Sequence, residues 1–321
     1  MQQVSWFVAK LRSPLDPIRR WVVRQIAARK ASRALLNRYY GRLSDKARFR
    51  FSQRYMQVFR GRGLFGGEGV PLAPGEWKIR FSDRDIRLPL RPSWAWLDWE
   101  HACSVIGHDP EVIQTYAAII DSDQRPVLFL DVGANYGTHS VLFLSAGIPV
   151  IAFEPNPTCV ADFQVICELN GLKGRFEQVA IGDRSGHIDL VYPEKDPWLG
   201  SISSDVVPNL EAYANVITKR VPLRMLDEYL AEIPRDKVLI KIDVEGSEPE
   251  VIQGATRLLQ HCQPRLIFES NDARRRSELF QLLADRGYSI LPLPWRPSSS
   301  SRVLDIGAFL ASKATNFIAI A

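Results

Sequence analysis

The sequence predicts an α/β fold built on a doubly wound, mostly parallel sheet, and three observations predict it. From residue 126 onward, short apolar runs alternate with helix-like segments. Acidic residues close those runs, at Asp131, Glu154, Asp183, Asp243 and Glu269. The first run also leads into Asp131-Val-Gly133-Ala-Asn135-Tyr-Gly137, a glycine-bearing turn between a strand and a helix. In sheets of this kind a ligand lies beyond the carboxyl ends of the strands, so the acids border the expected crevice.

The chain of 321 residues, 46% of them hydrophobic, has room for one large domain and an appendage. Such a composition excludes disordered and fibrous classes. The net charge of +5 is unevenly split. Residues 1–62 hold 16 Lys or Arg against Asp16 and Asp45, a charge of +14, so the rest of the chain carries −9 (5 − 14). Cys103, Cys159, Cys167 and Cys262 lack C-x-x-C spacing and a histidine cluster, which fits reduced thiols in a cytoplasmic protein. The apolar residues Val4 to Val8 are too few for a secretory signal, and no uncharged run reaches the ~20 residues that span a bilayer.

Three segments emerge from this. Residues 1–62 form a basic helical N-terminal segment, with helix expected from Pro17 to about Tyr40. Its Arg heads and apolar side chains suit an anionic membrane surface, which would place the protein at the inner face of a membrane; a basic face in water is the plainer reading. Nucleic acid is not expected as a partner, because no nucleic-acid module is recognisable.

Residues 63–125 form a linker and pre-domain. Gly61 to Pro71 reads as flexible punctuation. Trp77 to Phe81 and Asp85 to Leu90 alternate like two antiparallel strands, and Trp94, Trp96 and Trp99 come next as packing residues or a pocket lining. Pro110 to Ile120 reads as a helix opened by Asp109, with proline at its first position.

Residues 126–321 carry the ligand domain. Its strands are expected at Val127 to Leu130, Val150 to Phe153, Phe176 to Ile181, Lys237 to Ile242, Pro264 to Phe268, Tyr288 to Leu293 and Asn316 to Ile320. Helices are expected at Cys159 to Leu169 and Leu279 to Arg286. His187 to Tyr192 and Thr218 to Leu223 read as added strands. Glu154 stands where α/β units place the acid that holds a ribose, so a nucleoside is expected between the first two strand ends.

Five motifs then carry a resemblance. Asp131-Val-Gly-Ala-Asn-Tyr-Gly137, Phe153-Glu-Pro-Asn-Pro157, Ala180-Ile-Gly-Asp183, Leu226-Asp-Glu-Tyr-Leu230 and Ile240-Lys-Ile-Asp-Val-Glu-Gly-Ser-Glu248 occur in order over roughly residues 126 to 320. Together they resemble the FkbM family of S-adenosylmethionine-dependent methyltransferases. The resemblance implies a class I methyltransferase (Rossmann-like) sheet of seven strands, with the last strand antiparallel.

It also implies roles. The turn from Gly133 to Gly137, with Asn135, would receive the methionine part of the cofactor, and Asp131 would face its amino group. Glu154 would accept the ribose hydroxyls, and Asp183 would meet the adenine. The plain alternative for the glycines is an ordinary turn, and for Asp183 a turn cap. Asp243 and Glu245 are the candidate general bases for an acceptor hydroxyl. With Glu269 they could instead hold a divalent metal, a reading weakened by the lack of diagnostic spacing.

His139 is expected to border the cofactor or acceptor, or else to be satisfied locally. Lys241 is expected to reach the pocket, or to lie at a sheet edge or pair with a helix. Trp198, Ser201 and Ser203 are acceptor candidates on a loop over the crevice. The expected activity is O-methylation of a sugar, glycan precursor or secondary metabolite. The alternatives are an NAD-dependent sugar oxidoreductase, which lacks a Tyr-x-x-x-Lys pair here, and a membrane-associated scaffold that keeps the fold.

Overall fold

The computed structural model describes residues 18, 21–22, 25, 29–44, 47, 50, 75–90, 109–194, 200–210, 215–271, 274–298 and 300–321. Cys103, Trp94, Trp96, Trp99, Trp198 and the linker from Gly61 to Pro71 lie outside them. The chain divides into two units, Met1–His108 and Asp109–Ala321.

In the first unit, helix α1 (Lys30–Gly41) packs on strand β1 (Gly75–Phe81), which pairs antiparallel with β2 (Arg84–Leu90). Alternation explains the hairpin: Ile79, Phe81, Ile86 and Leu88 are buried, while Lys78, Asp85 and Arg87 face outward. Ser82 takes the left-handed conformation (φ 49°) that the tight turn requires.

The second unit opens with α2 (Pro110–Ile120), a helix whose sequence position suggested the pre-domain. It belongs here because Tyr116 packs edge-on against Phe129 and Phe143, and Thr115 accepts the Trp295 N–H. Asp109 precedes α2 without a side-chain cap bond to it.

Next come β3 (Leu128–Val132), α3 (Thr138–Ser145), β4 (Val150–Phe153), α4 (Pro157–Asn170), β5 (Arg175–Glu177), β6 (Ala180–Ile181) and β7 (Gly186–Pro193). After α5 (Val207–Leu210), β8 (Val216–Arg224) and a 3-10 turn at Leu226–Glu232 comes β9 (Val238–Ile242). The unit ends with α6 (Glu248–Gln253), α7 (Thr256–Cys262), β10 (Arg265–Glu269), α8 (Arg276–Ala284), β11 (Ser289–Pro292), α9 (Ile306–Ala311) and β12 (Asn316–Ile320).

The main sheet has the order β11-β12-β10-β9-β3-β4-β5, with β12 antiparallel to both of its neighbours. This is the class I methyltransferase arrangement, an antiparallel strand set among parallel ones. Every residue of β3, β4 and β9 is buried, as strands covered by helices on both faces must be.

The expected third strand is divided. Val179 N–H bonds back to the Glu177 carbonyl at 2.9 Å, a three-residue turn that ends β5. The chain then re-enters as β6, which joins the added strands β7 and β8 in a separate sheet of order β6-β8-β7. Near the far edge, the buried Arg276 guanidinium lies over Phe309 and Phe317 and donates to the Ser270, Phe309 and Ser312 carbonyls. Among the described residues, no helix is long and apolar enough to cross a membrane.

Candidate active site

Two strand-end turns meet over β3 and β4. Glu154 joins them: its Oε2 accepts the Asn135 N–H at 3.0 Å, and its Oε1 accepts the Asn156 N–H at 2.8 Å. The strand pins the backbone on one side of Glu154, and Pro155 and Pro157 stiffen the turn on the other. Burial pushes the carboxyl up to about 7, against the pull of the two N–H donors. Asn135 holds its left-handed turn (φ 52°) and offers its side-chain oxygen to the Cys159 thiol at 3.7 Å.

The two glycines serve packing. Gly133 has φ +77°, and a Cβ there would lie 1.8 Å from the Asp243 carbonyl oxygen. At Gly137 (φ +71°) a Cβ would lie 2.0 Å from the Phe163 ring. The packing of β3 against β9 and of α3 against α4 thus already demands both glycines. Gly133→Ala is expected to cost about 2 to 3 kcal/mol, from the strained φ and the clash together. Urea denaturation measures it, and a loss below ~0.5 kcal/mol would contradict the tight crossing.

Beneath the turns lies a charged cluster set by strand register. Asp131 on β3 is the register partner of Lys241 on β9, so the two side chains leave the same face of neighbouring strands. Asp243 lies two residues beyond Lys241, on that face again. Lys241 Nζ donates to Asp243 Oδ2 at 2.9 Å. Asp131 is fully buried; its Oδ2 accepts the Ser140 hydroxyl at 2.6 Å, and its Oδ1 accepts no hydrogen bond. Burial raises the Asp131 carboxyl, although the Lys241 ammonium and Ser140 work against it. Lys241 is held above its ordinary value, because Asp243 and Asp131 outweigh a large burial penalty. The expectation of a sheet edge is corrected: β9 is central, between β3 and β10.

Glu269 closes β10 one step past the Phe268–Ile242 pair, level with Asp243. Oxygens of Asp243, Glu245 and Glu269 lie within 4.8 Å of one another. Like charges so close cannot all ionise. Burial is the main force raising Glu269, to about 11, with Asp243 and Glu245 adding to it. Burial opposes ionisation of Asp243 as well, but Lys241 and a hydrogen bond from Glu269 hold that carboxyl below its usual value. At neutral pH the pair therefore carries one proton, on Glu269. Lys241 and this proton offset part of the cluster's negative charge.

Glu245 sits on a left-handed turn (φ 53°) whose carbonyl accepts the Ser201 hydroxyl at 3.0 Å. Ser201 and Ser203, expected to meet an acceptor, are buried instead. Ser201 Oγ also accepts the Ser203 N–H at 3.0 Å, and Ser203 Oγ accepts the Asp205 N–H at 3.4 Å. Small polar side chains in a tight loop satisfy backbone groups first, so these serines position the Glu245 turn.

His139 Nδ1 lies 3.0 Å from the hydroxyl of the fully buried Tyr116, and the imidazole acts electrostatically on Asp243. Asp183 is half-buried and pairs with Arg184 at 2.9 Å, outside the charged cluster. Sequence reasoning missed Ser140, Tyr116 and Glu248. Glu248 was legible only as a third acid three residues after Glu245.

Glu248 is buried, and its Oε1 accepts the Val244 and Gly246 N–H groups at 3.2 Å each. Burial raises its carboxyl to about 7. Between the unfolded value near 4.5 and about 7 the folded chain keeps a proton that the unfolded chain loses, so stability falls as pH rises through that window. Glu248→Gln keeps the acceptor and cannot ionise. It is expected to match the wild type below about pH 4 and to exceed it by about 3 kcal/mol at pH 8, measured by urea denaturation. An equal difference at both pH values would contradict this.

Residues 131–290 match the model described as Methyltransferase FkbM domain. The chain carries a methyltransferase FkbM domain. A "Hexuronic acid methyltransferase AglP" of Haloferax volcanii is 31% identical over 141 residues, which is 44% of this chain and 54% of that protein. A "Methyltransferase 1" of Beauveria bassiana is 26% identical over 142 residues, 39% of this chain and 57% of that one. The chain thus spans little more than half the length of these curated relatives. A crystal structure of methyltransferase FkbM from Methylobacillus flagellatus KT aligns with TM-score 0.40 at 16% identity, covering 61% of this chain and 44% of that one.

Proposed function

We propose that the FkbM domain transfers a methyl group from S-adenosylmethionine to a hydroxyl oxygen of a sugar, glycan precursor or other small metabolite. Glu154 is the observation that carries the reading. An ionised carboxylate offers about four acceptor positions, and two are taken by Asn135 and Asn156. Two remain at a half-buried strand end, the number that a pair of vicinal ribose hydroxyls requires. The residues present therefore fit the nucleoside end of the cofactor.

The turn from Gly133 to Gly137, with Asn135, holds the methionine part, and Asp183 serves the adenine once released from Arg184. Asp131, fully buried, lends negative charge from below the turn rather than a direct contact. S-adenosylmethionine brings a methyl group already activated on a sulfonium, so the protein's task is placement and proton removal. Asp243 accepts the hydrogen bond of the acceptor hydroxyl and takes its proton as the oxygen becomes positive. Glu245 orients the same hydroxyl, with His139 bordering it. A sugar acceptor is supported by the Haloferax volcanii relative, which is named a hexuronic acid methyltransferase.

The test is transfer of radiolabelled methyl from S-adenosylmethionine to a panel of hexuronic acids and nucleotide sugars, with NAD⁺ reduction followed in parallel. Incorporation into at least one sugar is expected. NAD⁺ reduction without incorporation would replace this reading. The Glu154 carboxyl adds a pH signature. Hydroxyl donors favour its ionised form, so affinity for S-adenosylhomocysteine is expected to rise roughly tenfold from pH 6 to pH 8, and Glu154→Gln to flatten that rise. A pH-independent affinity in the wild type would remove Glu154 from the ribose.

A further inference from the structure

Helix α1 has two apolar stripes, one turned inward and one exposed. Leu36 and Tyr40 are four residues apart and share a face; Tyr40 is 3% exposed, and the helix rests on β1. Leu35 and Tyr39 are also four apart, on a face turned about 100° away. They are 66% and 55% exposed. Arg38 and Arg42 lie exposed beside them. The pattern recurs upstream, where Ile18, Trp21 and Val22 keep helical spacing and are 57%, 49% and 41% exposed. Five of the ten large exposed hydrophobic side chains among the described residues thus fall between Ile18 and Tyr39. This is the stretch of the chain with +14 charge.

We propose that the exposed side chains of this segment, Ile18, Trp21, Val22, Leu35 and Tyr39 with Arg38 and Arg42, dock the protein on an anionic lipid bilayer. The chemistry selects that partner. Aliphatic Ile18, Val22 and Leu35 gain from entering the acyl boundary, Trp21 and Tyr39 suit the headgroup level, and the arginines meet lipid phosphates and carboxylates. A nucleic acid would use the arginines and aromatics but would leave the three aliphatic side chains in water. Docking of this kind brings the FkbM domain to acceptors held at a membrane surface.

The test is co-sedimentation of the full chain with phosphatidylcholine vesicles, with and without about 30% phosphatidylserine. Binding is expected only with the anionic lipid, and to fall steeply in high salt. L35S/Y39S removes two exposed apolar groups and leaves the buried stripe intact. It is expected to reduce binding roughly tenfold or more, as is R38E/R42E. Failure to sediment with anionic vesicles, equal binding to neutral ones, or indifference to both variants would overturn the proposal. So would a dimer, seen by sedimentation velocity without lipid, that L35S/Y39S dissolves, or tighter retention on RNA than on vesicles.

Discussion

Lys241→Met is expected to lower the unfolding free energy by about 3 to 5 kcal/mol. The ammonium sits in the central strand of the sheet, 2.9 Å from Asp243 and in register with Asp131. Asp131 is fully buried, so removing Lys241 leaves a carboxylate with no cation to offset its desolvation. Met matches the length of the lysine stem, so the loss reports charge rather than packing.

Its pH dependence has a definite sign. Asp243 is held below its ordinary 3.8 by Lys241, a contribution fully present above that value and lost as pH falls through the depressed one. The gap between wild type and Lys241→Met should therefore be widest at neutral pH and should narrow below about pH 4. Adding Asp243→Asn to Lys241→Met should recover part of the loss. Urea denaturation across pH measures both, and a variant within ~1 kcal/mol of wild type at pH 7 would contradict the buried ion pair.

Asp243→Asn is expected to lower kcat/KM for methyl transfer by about 10² to 10⁴ while leaving the affinity for S-adenosylhomocysteine within about threefold. The amide keeps the shape and an acceptor oxygen but cannot take the proton that the acceptor hydroxyl must release. Asp131 remains to balance Lys241, so the fold survives. Glu269→Gln is the informative partner. Burial and its acidic neighbours keep Glu269 protonated, and a glutamine imitates a protonated acid. It should retain activity within a few-fold at pH 7. A collapse in Glu269→Gln with Asp243→Asn unimpaired would exchange the two roles.

The parts of this molecule that were legible in sequence are those set by local chemistry. β4, β12 and α2 have the bounds read from their apolar runs and their proline, because sharp punctuation flanks each one. The split of the third strand into β5 and β6 was not legible, since one backbone bond between Val179 and Glu177 decides it. In the site, the acids at strand ends marked the crevice.

The roles of those acids depend on register, which a single chain of letters does not display. Asp131, Lys241, Asp243 and Glu269 meet because β3, β9 and β10 align at those steps. The same holds for the glycines, whose freedom is used against the Asp243 carbonyl and the Phe163 ring. Ser201 and Ser203 read as polar loop residues, but their hydroxyls were needed by the turn that carries Glu245.

The most direct test of a nucleoside site is calorimetric titration of the full chain with S-adenosylhomocysteine at pH 8, for wild type and Glu154→Ala. One site per chain is expected, weakened at least about 100-fold by the substitution, since two hydrogen bonds to the carboxylate are lost and each is worth about 1.5 to 3 kcal/mol. Circular dichroism of the variant separates a lost ligand contact from a lost fold. A wild type that takes up no S-adenosylhomocysteine, or a folded Glu154→Ala that binds it equally well, would contradict a nucleoside site between β3 and β4.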